Sequence, residues 1–270
     1  MLMQKLSIGM VQGRLTPSKG RGIQFFPNQE GEWEKEFARA AELGIQHIQW
    51  AFETVDNPLL LPETQARVRA AVAKTGVPVW HMDMQLLTSV DISACGDVWM
   101  QSVCEALAAV DGQTVEVPLM EASSLLDVSM REQRVAALRR FMHAAAAAGI
   151  SLAVETDLPP KEYTALLEQC PLGAVYDAGN SAGMGYLVDE EFAAYGASVV
   201  NVHIKDKKKG GVTVPLGSGD ADLKRLFQLL RKVPYTGPVT LQAARGEDGK
   251  EAETIQHYID FINAQYEQSF

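Results

Sequence analysis

Four polar residues stand at or near the ends of successive apolar runs in the second half of the chain. LAVE ends at Glu155, AVYD ends at Asp177, VVNVHIKD carries His203, Lys205 and Asp206, and VTLQ ends at Gln242. A charge at such a position is costly without a partner, and a cation shared between the four removes that cost. The set is oxygen-rich with one imidazole, which suits Mn²⁺, Co²⁺ or Mg²⁺, with Zn²⁺ also admitted. A Lewis acid beside a carboxylate is equipped to remove a proton from carbon next to a carbonyl. Glu155 is the first candidate for that base, with Lys205 and His81 as further candidates for proton transfer. Taken singly, an acid at a strand end is as readily a helix cap or a surface ion pair, so the inference rests on the four together.

Other polar residues follow the remaining apolar runs. Gln12 and Arg14 come after the first, Gln49 lies near the end of the second, and His81 and Asp83 lie at the third. Asn180 follows Asp177, and Arg245 follows Gln242. Gln12, Arg14, Asn180, Asp206 and Arg245 are candidates for substrate contact. Two readings stay open for several of these. His81 is a core histidine satisfied by a neighbour or a substrate contact, and Arg14 and Arg245 are surface ion-pair partners or anion contacts. The segment GGVTVPLGSGD from Gly210 to Asp220 is either a hairpin with a lysine-rich tip or a phosphate-binding loop. Lys207, Lys208 and Lys209 are expected on a solvated face, and Asp222 is expected to cap a helix.

These residues need a scaffold that brings strand ends together. Eight β-type segments are predicted: Leu6–Val11, Ile45–Trp50, Val77–Met82, Thr114–Pro118, Ser151–Glu155, Leu172–Asp177, Val199–Lys205 and Val239–Gln242. Each is rich in Val, Ile or Leu, as in strands covered on both faces. Between them run helical stripes such as Val135, Leu138, Phe141, Met142 and Ala145, or Leu223, Leu226, Phe227 and Leu230. Glycines at Gly44, Gly76 and Gly149 stop helices just before strands. This cadence predicts an α/β fold, a single (β/α)₈ TIM barrel over residues 1–270. An open doubly wound sheet has the same local pattern, but no GxGxxG follows the first strand. In a barrel, the carboxyl ends of the strands converge on one mouth.

Composition narrows the function classes. The net charge of −10 opposes binding to a phosphodiester backbone, so no nucleic-acid partner is expected. No run approaches a membrane span and the N-terminus lacks signal-peptide character, so no membrane partner is expected either. The three scattered cysteines suit a reducing cytoplasm and do not form a structural zinc site. The expected partner is a small sugar or sugar phosphate, and a homodimer is the commonest assembly for such a chain.

The motifs together resemble the xylose-isomerase-like barrel superfamily of sugar-phosphate isomerases, 3-epimerases, hydroxypyruvate isomerases, inosose dehydratases and endonuclease IV. The resemblance rests on ARAAELGIQHIQW, LAVETD, YDAGNSAG, VHIKD and PLGSGDAD and covers nearly the whole chain. It implies a metal shell of Glu155, Asp177, His203 and Gln242. Three positions depart from the family pattern. Gln242 stands where the epimerases have a glutamate that serves as a second acid/base, Asn180 replaces a histidine, and Gln49 replaces a glutamate. An amide ligates through oxygen but takes up no proton, so isomerisation through an enediolate is favoured over two-base epimerisation. The alternatives are a metal-dependent dehydratase of a polyol or keto-acid and a non-catalytic sugar-binding barrel.

Overall fold

Each strand pairs in parallel with its neighbours until the last closes on the first. The computed structural model describes residues 6–29, 31–233 and 235–269. Its strands are β1 (Ile8–Val11), β2 (Ile48–Ala51), β3 (Val79–Asp83), β4 (Thr114–Leu119), β5 (Ser151–Thr156), β6 (Gly173–Asp177), β7 (Val199–Ile204), the short β8 (Asp206–Lys207) and β9 (Thr213–Val214), and β10 (Val239–Leu241). Strands β1 to β7 run in order around the barrel and β10 joins β7 to β1. Gly9 sits opposite Thr240 at the closure. The fold is therefore a (β/α)₈ barrel, and all eight predicted segments contribute to it. Strands β8 and β9 form a separate antiparallel hairpin above it.

Helices α1 (Glu32–Glu42), α2 (Pro62–Thr75), α3 (Asp97–Ala108), α4 (Arg131–Ala147), α5 (Pro160–Gln169), α6 (Ala178–Met184), α7 (Val188–Tyr195), α8 (Leu223–Lys232) and α9 (Glu251–Glu267) connect and follow the strands. The stripe on α8 is buried at Leu223, Leu226, Phe227 and Leu230. Asp222 caps this helix as expected, its Oδ1 accepting from Arg225 N at 2.9 Å. No helix among the described residues is long and apolar enough to cross a membrane.

Several ladders start later than the apolar runs predict. Ile45 N donates to Ala40 O, completing the end of α1, so β2 begins only at Ile48. Gly76 closes α2 at φ 73°, a left-handed conformation suited to glycine, and β3 begins at Val79. The strands keep a period of two. On β4, Val115 and Val117 are buried in the apolar core, while Glu116 between them bonds to groups on β2, β3 and β7 across the barrel interior. On β1, Gly9 leaves room for the His47 ring, whose Nε2 would lie 1.9 Å from an added Cβ.

Candidate active site

The barrel interior is polar, and Glu116 is its centre. The Glu116 Oε1 accepts from His81 Nδ1 at 2.6 Å and from Asn201 Nδ2 at 2.7 Å. Its Oε2 pairs with His203 Nε2 at 2.9 Å and accepts from Gln49 Nε2. Asn201 in turn accepts from Thr240, which contacts His47. Burial pushes the Glu116 carboxyl up, but the charge and hydrogen bond of His203, followed by the His81 contacts, outweigh it and hold the group below the usual carboxylate range. Burial works against a charged His203, yet Glu116 and then Glu155 raise its pKa well above the ordinary imidazole value.

Above this layer, the strand ends meet. His203 Nδ1 lies 3.3 Å from Glu155 Oε2 and 3.8 Å from Asp177 Oδ2. One ligand atom from each of these three residues can be chosen so that all lie within 4.8 Å of one another. Glu116 engages His203 through Nε2, which turns Nδ1 toward the two carboxylates. That Nδ1 is buried with no hydrogen-bond partner among the described residues. A buried imidazole nitrogen that faces two carboxylate oxygens without a well-formed hydrogen bond is a donor set that fits a divalent cation, with Glu116 as the outer carboxylate that orients the histidine.

The neighbouring groups fix this triad. Asp177 Oδ1 accepts from Asn180 N at 2.8 Å and so caps α6. Asn180 Nδ2 donates to Glu155 Oε1 at 2.5 Å, and Asn180 Oδ1 accepts from Lys207 Nζ at 2.6 Å. The Lys205 ammonium donates to Asp177 Oδ2 at 3.2 Å and to Gln242 Oε1 at 2.9 Å. Gln242 thus reaches the triad through Lys205. Its Nε2 donates to Asp83 Oδ2 at 3.4 Å. Burial first, then the charges of Glu155 and Glu116, raise the Asp83 carboxyl to about 8 against the opposing pull of His203 and Lys205.

The structure therefore brings together Glu155, Asp177, His203, Lys205, Asn180 and Gln242. It places His81 deeper, two residues below Asp83 on β3 and bonded to Glu116, which is the core-histidine arrangement. Gln12 is fully buried and accepts from Ala51 N at 3.3 Å.

Three expected substrate contacts are directed elsewhere. Arg14 is buried and donates to the carbonyls of Ala243, Ile23 and Gln242, pinning the chain that leaves β10 to the loop after β1. Arg245 donates to the carbonyls of Gly13, Thr16 and Ile23. Asp206 accepts from Gly217 N at 2.9 Å, Gly219 N at 2.8 Å and Ala221 N at 3.1 Å. Its carboxylate fills the backbone cradle that a phosphate would need, so the glycine-rich segment takes the hairpin alternative. Lys207 also departs from expectation: it is half-buried, whereas Lys208 and Lys209 are exposed.

Glu116, Asn201 and His47 were not among the sequence candidates. The available signal was the alternation in TVEVP: an acid flanked by two valines in a strand must point inward and must have partners.

A profile described as xylose isomerase-like TIM barrel matches residues 37–265. L-ribulose-5-phosphate 3-epimerase UlaE from Salmonella heidelberg (strain SL476) is 25% identical over 254 residues, covering 86% of this chain and 89% of that protein. Among solved structures, 3-keto-D-glucoside 4-epimerase YcjR from E. coli superposes with a TM-score of 0.72 at 18% identity, covering 96% of this chain and 100% of the other. The IOLI protein with a bound zinc atom superposes with a TM-score of 0.71 at 15% identity, covering 98% of this chain and 99% of the other. At these identities the two superpositions carry the fold alone.

Proposed function

Because the chain belongs to the xylose isomerase-like TIM barrel family, we propose that it is a divalent-metal-dependent isomerase or epimerase of a small sugar or sugar phosphate. The observation that carries this is the convergence of Glu155, Asp177 and His203 Nδ1 on one point. The names of the proteins it resembles support it: UlaE is an L-ribulose-5-phosphate 3-epimerase, and the fold neighbours YcjR and IOLI are named as a sugar epimerase and as a protein with a bound zinc atom.

Glu155, Asp177 and His203 would hold the cation, with Gln242 as the neutral fourth group, and the cation would supply Lewis-acid stabilisation worth several kcal/mol. The remaining chemistry belongs to the chain's own residues. Glu155 removes the proton from carbon next to the substrate carbonyl, leaving an enediolate. Asn180 holds Oε1 of that carboxylate, and His203 stands beside Oε2. Returning the proton from Glu155 to the adjacent carbon on the same face interconverts aldose and ketose. Lys205 brings an ammonium to the same mouth and is the candidate to protonate the former carbonyl oxygen and to take back the proton that the neighbouring hydroxyl releases as it becomes the new carbonyl. Inversion needs a donor on the opposite face, and Gln242 cannot be that donor.

The deciding experiment incubates the protein with Mn²⁺ in D₂O with a panel of ketoses and their phosphates. Deuterium should appear at the carbon next to the carbonyl for at least one compound, and chelation should abolish it. No exchange across the panel overturns the proposal.

A further inference from the structure

Three lysines alternate along the segment that leaves β7, and α6 is built to receive them. Lys205 and Lys207 flank Asp206 at β8, about 6.6 Å apart along the chain, and Lys209 follows in the turn toward β9. Their stems cross α6 and its end at glycines. A Cβ at Gly179 would lie 2.7 Å from Lys205 Cγ, one at Gly183 would lie 3.2 Å from Lys207 Cδ, and one at Gly185 would lie 2.5 Å from Lys209 Cε. Lys208 pairs with Asp220 at 3.1 Å.

The three ammoniums differ in what they meet. Lys205 is neutralised by Asp177 at 3.2 Å. Lys207 is half-buried, yet its one hydrogen bond goes to the neutral Asn180 Oδ1, and among the described residues no carboxylate is within ion-pair reach. Glu155, Asp177 and the exposed Glu121 act on it only from a distance. Burial and then the charge of Lys205 lower its pKa. Lys209 is exposed, and its Nζ has no partner among the described residues. A cation half out of water without a counter-charge is costly; that applies to Lys207, and the exposed Lys209 adds a second unpaired ammonium at its outer side. The usual phosphate cradle of this architecture is already filled by Asp206.

We propose that Lys207 and Lys209 form the subsite for a dianionic phosphate on the substrate, carried a few carbons from the reacting centre at Glu155. This rests on the isomerase proposal only for which end of the sugar reacts. Lys207 is one bonded residue, Asn180, away from Glu155. A phosphate seated there therefore places the neighbouring sugar carbons at the triad. Gly183 and Gly185 serve the same subsite by letting both stems lie flat.

The test is titration calorimetry of the Mn²⁺-loaded protein with ribitol, ribitol 5-phosphate and ribonate, none of which can react. Ribitol 5-phosphate should bind at least a hundredfold tighter than ribitol. Ribonate, whose carboxylate is smaller and singly charged, should fall well short of the phosphate. That phosphate-to-ribitol ratio should drop about tenfold or more in Lys209→Gln and again in Lys207→Gln, and Lys207→Arg should restore most of it. Lys208→Gln should leave the ratio within about twofold. The proposal is overturned if ribitol 5-phosphate does not bind, if it binds no tighter than ribitol, or if Lys208→Gln lowers the ratio as much as Lys209→Gln. If the ratios behave as stated and no ketose phosphate exchanges deuterium, the isomerase proposal fails and the phosphate subsite stands.

Discussion

Replacing Glu116 with glutamine should damage both stability and metal binding, although Glu116 touches neither solvent nor substrate. The carboxylate meets two side chains at each oxygen: His81 and Asn201 at Oε1, His203 and Gln49 at Oε2. Glutamine keeps the shape but presents an amide N–H₂ at one of these ends, where the existing groups are themselves donors. It also removes the negative charge that supports His203. Breaking a buried ionic arrangement from one side costs about 3–5 kcal/mol. For a chain of this size, that corresponds to a fall of about 10 °C in Tm. Loss of an outer partner of a ligating histidine lowers metal affinity by about 10- to 100-fold. The assays are thermal melting in EDTA and competitive Mn²⁺ titration of the folded variant. A Glu116→Gln protein that melts within about 2 °C of wild type and binds Mn²⁺ equally well refutes the assignment of Glu116 as the organising group.

Four further outcomes follow from the same geometry. Glu155→Gln should lower kcat by about 10²- to 10⁴-fold in the deuterium-exchange assay while some Mn²⁺ binding persists; in contrast, Gln242→Glu should tighten Mn²⁺ binding by adding charge beside Lys205, and the opposite order of effects would move the base elsewhere. Asp83 has its folded pKa raised to about 8 from 3.8, so its stabilising contribution is full below the unfolded value and is lost as pH rises toward 8. Urea titrations in EDTA should therefore show Asp83→Asn flattening that decline, by at most about 1.4 kcal/mol per pH unit; identical pH profiles would exclude Asp83 as its source. Asp206→Asn should cost about 1–3 kcal/mol of unfolding free energy and lower the urea midpoint accordingly, because one oxygen cannot satisfy the three amides that the carboxylate now serves; an unchanged midpoint would mean that the cradle is not held by Asp206.

The barrel was legible because its signals are local. Strand runs, helix stripes and glycine stops repeat around the chain, and the family resemblance follows the same register. The convergence of Glu155, Asp177 and His203 was legible for a related reason: each stands at or near the end of a largely apolar run, and the fold sends all such ends to one mouth. Glu116 was not, since it lies within its run and its partners come from three other strands. Asp206 and Asn180 show the limit from the other side. Both follow site residues closely in sequence, but Asp206, on β8, turns into the loop amides, while Asn180, in the first turn of α6, grips Glu155. Lys207 and Lys208 differ in the same way, and composition alone treats them as one basic run.

The loops at the mouth are tied by carboxylates of the chain itself. Glu36 accepts from Gly13 N at 2.8 Å and Leu15 N at 2.9 Å, Asp248 accepts from Ser18 N at 2.7 Å and Lys19 N at 2.8 Å, and Asp206 holds the segment after β9. The entrance thus owes its shape to tethers made within the chain itself, without a ligand. Occupancy does not have to organise these loops, so little ordering entropy is lost on association. The heat-capacity change on binding then reports the surface covered by the sugar and no refolding of the rim.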